Sequence, residues 1–498
     1  MTVILGIDQS TSATKAMLFQ GNGVMLGKVS IPHKQIYPKP GLVEHDAEEI
    51  YQNVIQSVKT LLDANSWIQG EILCLSITNQ RETIVVFDRQ TGAPLHNAIV
   101  WQCRRGSEIC SGLIAEGKLE IVRSKTGLPI DTYFSASKLK WLINTFPELQ
   151  EKLVNGEALI GTIETYLIYR LTNGAVFASD HTNACRTLLY DIKNLSWDQE
   201  LCDIFDVPMR ALPEVWESSG IFGETDIEGA LESSIPICGV MGDSQAALFA
   251  QRCFEPGKVK VTFGTGSSVL LNIGNKAMSS DNGIVTTIAW VHDGKPTYAF
   301  EGITNFTGAT ITWLQNQMKL ISDAAETETL AKSVKDNGGV YMVPAFVGLS
   351  APYWKPDARA AILGLTPHST KAHIVRAALE SIAYRIRDVL LLMAEDGSVA
   401  LKYIFADGGA VSNKFLMQFV ADLLGITVRA SNLPELSALG AVFNGFLGMS
   451  QYSSLDEIRN LTMSYSEYSP SMKRDEVDKL VAGWQAAVQQ VIYQNIEG

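Results

Sequence analysis

Residues 4–19 read ILGIDQSTSATKAMLF, two apolar runs separated by a polar turn with one carboxylate, one ammonium and four hydroxyl groups. The apolar runs predict two strands, and GNG at 21–23 marks the next turn. The N–H groups and hydroxyls of the polar turn could bind phosphate oxygens. A loop that satisfies its own backbone would have the same composition, and from this stretch alone that interpretation is favoured.

The second half of the chain contains another strand, polar turn and strand. KVKVTFGTGSSVLLNIG at 258–274 has this pattern, and PICGVMGDSQAALFAQ at 236–251 reads as strand, turn and helix. YIFADGGAVSNKFLMQFVADLLG at 403–425 predicts a strand, a double-glycine turn and a helix, and helical spacing of apolar residues predicts helices over 47–62 and 371–394. We therefore expect an α/β fold of two domains with mixed sheets and a cleft between them.

The length of 498 residues also favours two domains, because single cores stop growing well below this size. No Pro- or Ser-rich linker marks a boundary. We place it near residue 250, which gives domains of 1–250 and 251–498.

Composition excludes several classes of function. A net charge of −13 argues against nucleic acid or an anionic membrane as the main partner, although a nucleotide could still bind. No apolar run approaches the roughly 18 residues of a membrane span. The odd count of seven cysteines, without a CxxC pair, argues against a disulfide framework or a zinc site and fits a reducing cytoplasm.

Three further segments could carry chemistry. Gly264 and Gly266 in the FGTGSS turn permit close backbone approach, so this turn and the opening one could clamp a polyphosphate. Asp243 begins a predicted helix, where it could be an N-cap or a base that takes a proton from a hydroxyl. Arg81 and Glu82 lie between EILCLSIT and IVVF, with AIVW at 98–101 as a further predicted strand. Such a pair is usually solvated, but apolar surroundings would suit a small ligand with several hydroxyls.

Long stretches of the chain resemble the FGGY carbohydrate kinase family and, within it, the glycerol kinases. The stretches that carry the resemblance are IYPKPGLVEHDAEEI (36–50), ITNQRETIVVFDRQTG (77–92), NAIVWQCRR (97–105), GLPIDTYFSASKLKWL (127–142), GDSQAALFAQ (242–251), GVYMVPAFVGLSAPYW (339–354) and DGGAVSNKFLMQF (407–419). The resemblance implies two actin-like (ribonuclease H-like) domains that close over ATP–Mg²⁺ and a polyol, and transfer of the γ-phosphoryl group to a terminal hydroxyl.

The resemblance also assigns roles to individual residues. Those implied to bind ATP are Thr11, Ser12, Ala13, Lys15, Gly264, Thr265, Gly308, Thr312, Gly409 and Asn413. Those implied to bind the polyol are Arg81, Glu82, Trp101, Tyr133, Asp243 and Ser244. Asp243 would be the catalytic base, and Asp8 and Asp243 would lie at the metal ion.

Several of these positions depart from the family pattern. The opening turn reads DQSTSATK where the family usually has DQGTTSSR, and Thr312 stands where Gln is common. Ser244 replaces a Gln that contacts the polyol, and Ser268 replaces an aromatic residue of the glycerol pocket. Smaller, hydroxylated side chains predict a roomier and more polar pocket, so a tetritol, pentitol or ketose is an alternative to glycerol.

Two other classes remain open from the sequence. A non-kinase ATPase of the same superfold would have the phosphate turns, but it would have no need of Arg81, Glu82, Tyr133 and Asp243 together. A sensor that binds a polyol without turnover is disfavoured by the presence of Asp8 and Asp243. We also expect a homo-oligomer, a dimer or a tetramer.

Overall fold

A computed structural model gives the fold of residues 2–493. Its strands are β1 Val3–Gln9, β2 Ala13–Gln20, β3 Met25–Pro32, β4 Glu44–His45, β5 Ile72–Asn79, β6 Ile84–Asp88, β7 Ala98–Ile99, β8 Ala158–Thr162, β9 Ala178–Asp180, β10 Tyr190–Asp191, β11 Ser196–Trp197, β12 Glu214–Trp216, β13 Ile221–Thr225, β14 Ile235–Gly242, β15 Lys258–Phe263, β16 Ser267–Gly274, β17 Val285–His292, β18 Lys295–Thr304, β19 Tyr341–Val343, β20 Ala361–Leu363, β21 Tyr403–Asp407, β22 Thr427–Ser431 and β23 Tyr465–Tyr468.

The helices connect and cover these strands. They are α1 Ala47–Asp63, α2 Ser107–Ala115, α3 Leu119–Thr126, α4 Ser135–Thr145, α5 Pro147–Asn155, α6 Ile163–Leu171, α7 His181–Ala184, α8 Gln199–Ile204, α9 Asp243–Ala250, α10 Gly308–Asn316, α11 Glu326–Ser333, α12 Lys371–Asp396, α13 Lys414–Leu424, α14 Leu436–Gly448, α15 Leu455–Arg459 and α16 Arg474–Tyr493. Short 3-10 helices span Ser66–Glu71, Met209–Ala211 and Gly409–Ser412.

The opening stretch forms the centre of the first large sheet, whose strand order is β13-β14-β5-β1-β2-β3. Strand β1 pairs antiparallel with β2 and parallel with β5, and each of its residues is buried. A strand covered on both faces favours a continuous apolar run, which explains ILGI. The antiparallel register places Asp8 opposite Lys15, so the turn between them projects from the end of the sheet.

The second large sheet repeats this arrangement, with the order β17-β18-β16-β15-β21-β22-β23. Strand β15 pairs antiparallel with β16 and parallel with β21, as β1 does with β2 and β5. One face packs on α12 and α13, and α9 lies between the other face and the first sheet. The predicted α/β fold with mixed sheets is confirmed, as are the helices predicted over 47–62 and 371–394.

Two details differ from the sequence predictions. The strand predicted over 98–101 ends at Ile99, and Trp101 lies in the turn that follows. Helix α14, which comes from the second half of the chain, packs on β1, β5 and β14 of the first sheet. A Cβ atom at Gly440 of α14 would lie only 1.8 Å from the carbonyl oxygen of Ala246 in α9, so α14 and α9 are in backbone contact at this glycine. The boundary near 250 remains a prediction.

Two further properties of the fold concern its helices and its cysteines. None of the helices within 2–493 is both long enough and apolar enough to span a membrane. The seven cysteine thiols are free and buried.

Candidate active site

The predicted first phosphate turn lies beside a chain of alternating charges. Lys15 Nζ is 3.0 Å from Asp8 Oδ2 and 2.7 Å from Glu435 Oε2, and Glu435 also pairs with Lys28. Burial raises the pKa of Asp8 to about 6, against the opposing effect of Lys15. Burial also opposes the charge of Lys15, but the two carboxylates outweigh it and raise the pKa of the ammonium. Lys15 is therefore charged and fixed at the turn.

The turn itself is joined to the predicted polyol side of the site. The Ser10 backbone N–H donates to the Ala13 carbonyl at 3.0 Å, which closes the turn. The Trp101 indole Nε1–H donates to Thr11 Oγ1 at 3.0 Å, and Gln35 Nε2 donates to the Thr11 carbonyl at 2.8 Å. A movement of Thr11 on nucleotide binding would therefore reach Trp101 directly.

Arg81 and Glu82 belong to a buried network of four charges that includes Arg186 and Glu301. Arg81 Nη2 and Nη1 donate to Glu301 Oε1 and Oε2 at 2.7 and 3.2 Å, a two-pronged contact. Arg186 Nε donates to Glu82 Oε1 at 2.6 Å, and its Nη1 lies 2.7 Å from Glu301 Oε2 without hydrogen-bond alignment. Burial opposes ionisation of Glu301, but the two guanidinium groups outweigh it and lower its pKa to about 2.

The backbone around this network is equally constrained. Glu82 has a φ of 62°, in the left-handed region that a side chain rarely adopts, and Ser135 Oγ donates to its carbonyl at 2.9 Å. The rings of Trp101 and Tyr133 lie 5.2 Å apart beside the network, and burial raises the pKa of Tyr133. One wall of the site, with charged and apolar parts, is thus formed by Arg81, Glu82, Trp101 and Tyr133.

Asp243 is the first residue of α9, and 40% of its side chain is exposed. Arg81 Nε lies 3.3 Å from Asp243 Oδ1, and the Ser244 N–H donates to the same oxygen at 2.6 Å. A Cβ atom at Gly242 would lie 2.8 Å from the Arg81 side chain, so a glycine is needed there. Asp243 is therefore an accessible carboxylate whose orientation is set by a buried arginine.

Asp243 is also electrostatically coupled to Asp8, because its negative charge contributes to the raised pKa of Asp8. The two carboxylates come from different elements, the end of β1 and the start of α9. Among residues 2–493 no group of three or more His, Cys, Asp or Glu side chains is arranged to hold a metal ion. Carboxylate oxygens are nevertheless the ligands that suit Mg²⁺, and the charge of Asp243 reaches Asp8.

The remaining predicted ATP residues line one cavity of about 620 Å³ in the second domain. Gly308 N–H donates to the Gly264 carbonyl at 2.9 Å, and a Cβ atom at Gly308 would lie 2.8 Å from that oxygen. Asn413 caps α13, where its Oδ1 accepts from the Leu416 N–H. The predicted residues on the cavity wall are Gly264, Thr265, Gly308, Thr312, Gly409 and Asn413, and the apolar ones include Phe263, Ile311, Leu379, Ile382, Ala410 and Leu416.

Family models account for most of the chain. The N-terminal domain of the FGGY family of carbohydrate kinases matches residues 3–250, and its C-terminal domain matches residues 259–449. The chain belongs to the FGGY family of carbohydrate kinases. It is therefore an enzyme of the kinase class, and the family predicted from the sequence motifs is confirmed.

Individual FGGY kinases are similar over their full length. Glycerol kinase 1 of Thermotoga maritima is 46% identical over 489 residues, 98% of this chain and 99% of that one. Glycerol kinase of Brevibacillus brevis is 47% identical, over 97% of both chains. The crystal structure of Plasmodium falciparum glycerol kinase with ADP superposes with a TM-score of 0.94 at 37% identity, over 99% of this chain and 98% of that one.

The candidate site of this FGGY kinase also contains charged and polar residues that were not predicted from the sequence. Arg186 and Glu301 complete the buried network, and Gln245 Oε1 accepts from Arg81 Nη1 at 3.0 Å. A signal was present for Glu301, because it is a charged residue within the apolar run YAFEGI, whereas Lys260 lies in the alternating stretch KVKVTF, which is typical of a half-exposed strand. A charge inside a buried strand requires a partner or a function.

Ser268, which departs from the family pattern, lies on the same sheet face as Glu301. Ser268 pairs with Ile303 across β16 and β18, and Leu270, two residues on, pairs with Glu301. The Ser268 hydroxyl is buried and has no hydrogen-bond partner among the described residues. It is thus a polar group that a ligand could satisfy.

Proposed function

We propose that this chain catalyses the ATP-dependent phosphorylation of a terminal hydroxyl of glycerol. The observation that carries the proposal is Asp243, an exposed carboxylate 3.3 Å from the buried Arg81 guanidinium, in a chain whose predicted ATP residues line a cavity of about 620 Å³. The full-length similarity to enzymes named glycerol kinase supports the choice of glycerol. A pure ATPase would have no need of the buried network that holds Arg81 and Glu82.

In this mechanism the polyol is held before it reacts. Arg81 would donate to one hydroxyl and Glu82 would accept from another, while the rings of Trp101 and Tyr133 cover the carbon chain. Each group is already fixed, Arg81 by Glu301 and Glu82 by Arg186, so little ordering is left for the substrate to induce. The orientation of the terminal hydroxyl is thus set by the buried network.

Asp243 would then take the proton of the attacking hydroxyl. Its Oδ1 is engaged by Arg81 and by the Ser244 N–H, which leaves Oδ2 for the substrate. The transition state of phosphoryl transfer is loose, so catalysis depends mainly on placement and on offsetting charge. Lys15 and the backbone of the two turns would stabilise the phosphate oxygens.

Asp8 and Asp243 would hold Mg²⁺. The buried Asp8 carboxylate has its pKa raised to about 6 by burial, with a further contribution from Asp243, and the charge of a bound cation would oppose this rise. When bound, Mg²⁺ would neutralise negative charge on the triphosphate. Closure of the two domains would exclude water, which could otherwise hydrolyse ATP.

A second candidate substrate is a polyol with four or more carbons. The observation that favours it is the buried Ser268 hydroxyl without a partner, on the sheet face that carries Glu301. A further substrate hydroxyl would satisfy this group, and a site with an unsatisfied polar group discriminates against ligands that leave it unpaired. Ser244, with its small side chain beside Asp243, would leave room for the longer chain.

The test is an ADP-release assay with glycerol, dihydroxyacetone, erythritol, threitol and the common pentitols and ketopentoses. The highest kcat/KM for glycerol supports the proposal, and the highest value for a tetritol or pentitol supports the second candidate. Asp243→Asn should reduce polyol-dependent ADP release by orders of magnitude while nucleotide binding, measured by calorimetry, is retained. A near-normal rate in that variant, or no stimulation by any polyol in wild type, would refute the mechanism.

Location and assembly complete the proposal. Seven buried free thiols support a reducing compartment, for which we propose the cytoplasm. A dimer or tetramer stays a prediction, to be measured by light scattering.

A further inference from the structure

One lysine side chain of the second sheet is nearly buried and has no ion-pair or hydrogen-bond partner among residues 2–493. Lys260, in the middle of β15, is 2% exposed. Among residues 2–493, no carboxylate oxygen lies within 4.0 Å of its Nζ, and its Nζ makes no hydrogen bond. Lysine is almost never fully buried unless it is paired.

A second buried lysine shows how the same fold satisfies an ammonium group when the role is structural. Lys138 is also fully buried, and its Nζ donates to the carbonyls of Thr132, Tyr133 and Phe134 at 2.7, 3.0 and 2.8 Å. All three donors of Lys138 are used. Lys260 has no such cage, so burial in this fold does not by itself explain it.

Carboxylates from three elements surround Lys260 at longer range. Burial lowers its pKa, and the charges that oppose this shift are those of Asp407, Asp243 and Glu301, while Arg81 adds to it. Lys260 pairs with Leu270 in the sheet, and Leu270 pairs with Glu301, so these side chains share one face. Asp407 ends the neighbouring strand β21, immediately before the Gly408–Gly409 turn of the nucleotide cavity.

Lys260 pairs with Phe405 of β21, so Asp407, two residues further on, lies on the same sheet face, whereas Asp243 is linked to Lys260 through its charge. Asp243 belongs to the polyol side of the cleft, and Asp407 belongs to the nucleotide side. Asp407 is itself buried, and its pKa is raised by burial against the opposing charge of Lys260. Removing the ammonium would leave both carboxylates without this nearby positive charge.

An unpaired buried charge lowers the stability of the folded protein. Replacing such a group by an apolar side chain of similar length is often neutral or stabilising. A methionine would keep an unbranched aliphatic side chain of similar length on the sheet face that carries Leu270. A residue that reduces stability without a structural benefit is expected at a functional site.

We propose that Lys260 is a positioning residue for phosphoryl transfer, whose charge acts on Asp243 and Asp407 without direct contact and offsets their negative charge when the triphosphate enters the site. This inference depends on the proposed kinase function. It acts through the two carboxylates, so it predicts an effect on kcat more than on the KM of either substrate. Negative charge increases at the site as ATP approaches Asp8 and Asp243, and a fixed cation reduces that repulsion.

The experiment compares Lys260→Met, Lys260→Arg and a matched control, Lys258→Met. Lys258 lies two residues earlier on the same face of β15, but its Nζ has an ion-pair partner, Glu255, at 3.6 Å. For Lys260→Met we expect kcat to fall by about 100-fold or more, the loss typical of removing one preorganised charge contact. Both KM values should stay within about threefold, and the Tm should be unchanged or higher. Lys260→Arg should retain part of kcat, and Lys258→Met should retain nearly all of it.

The outcomes separate this inference from the proposed function. Lys260→Met with a clearly lower Tm and a kcat within a few-fold of wild type would show a structural lysine and overturn the inference. Equal losses of kcat in Lys260→Met and Lys258→Met would overturn it as well, because the effect would then come from removing any positive charge from β15 and not from the position of Lys260. Wild type without polyol-dependent ADP release would overturn the proposed function and this inference together.

Discussion

Glu301→Gln removes one negative charge from the buried network and changes almost nothing else in shape. Glu301 has 2% of its side chain exposed and contacts the guanidinium groups of Arg81 and Arg186 at 2.7 Å each. The variant leaves two buried cations with one buried carboxylate, Glu82, and the partly exposed Asp243 beside Arg81. Breaking a buried ion pair in this way costs about 3–5 kcal/mol.

This loss should be visible in both stability and kinetics. At about 2–4 °C per kcal/mol for a domain of this size, the Tm of the affected transition should fall by roughly 6–20 °C. Arg81 would lose its two-pronged anchor, so the KM for the polyol should rise while the KM for ATP changes little. Thermal unfolding and steady-state ADP release measure the two effects on the same preparation.

A matched control exists on the surface of the second sheet. Glu467 also pairs with an arginine at 2.7 Å, Arg429, but 53% of its side chain is exposed. Glu467→Gln should cost about 0–1 kcal/mol, because exposed pairs are screened by water. If Glu301→Gln has the Tm of this control and an unchanged polyol KM, the network does not position Arg81 and the reasoning is wrong.

Three further predictions concern individual groups. The folded-state pKa of Glu301 lies near 2 against an ordinary value of 4.5, so its stabilisation is complete above pH 4.5 and is lost as the pH falls toward 2. The stability of Glu301→Gln should therefore depend less on pH than that of wild type between pH 4.5 and 2, and an equal pH dependence would contradict the low pKa of Glu301. Gly308→Ala would place its Cβ 2.8 Å from the Gly264 carbonyl and should raise the KM for ATP about tenfold. Gly112→Ala, whose Cβ meets no atom within 4 Å, is the control that should leave it unchanged. Ser268→Ala should lower kcat/KM for tetritols more than for glycerol, and equal losses would argue against a longer substrate.

The sequence predicted the fold because its decisive signals are local. The ILGI and AMLF runs, the double-glycine turn at 408–409 and the helical spacing over 371–394 each depend on neighbours a few residues away. The predicted nucleotide residues came from family motifs, and the six in the second half line one cavity.

What the sequence did not predict depends on distant contacts. Glu301 lies 220 residues from Arg81, and neither segment contains information about the other. Glu435, in a loop 420 residues away in the sequence, accepts a hydrogen bond from Lys15. Trp101 was placed in a strand because it is aromatic and follows an apolar run, but the last backbone bond along this strand is that of the Val100 N–H to the Val43 carbonyl, and Trp101 begins a turn. Which side chains pair across the two domains can be seen only in the folded structure.

The packing of α14 on the first sheet also sets the order in which the protein can fold during synthesis. Ile4, Met17 and Phe19 of the first hairpin are buried against a cluster that includes Val442 and Phe446 of α14. A ribosome that has completed residue 250 has not yet made that cover, so the nascent first domain would present an apolar sheet face until translation passes residue 448. Chaperone binding to ribosome-bound chains should therefore persist well beyond residue 250 and decline once α14 has left the exit tunnel.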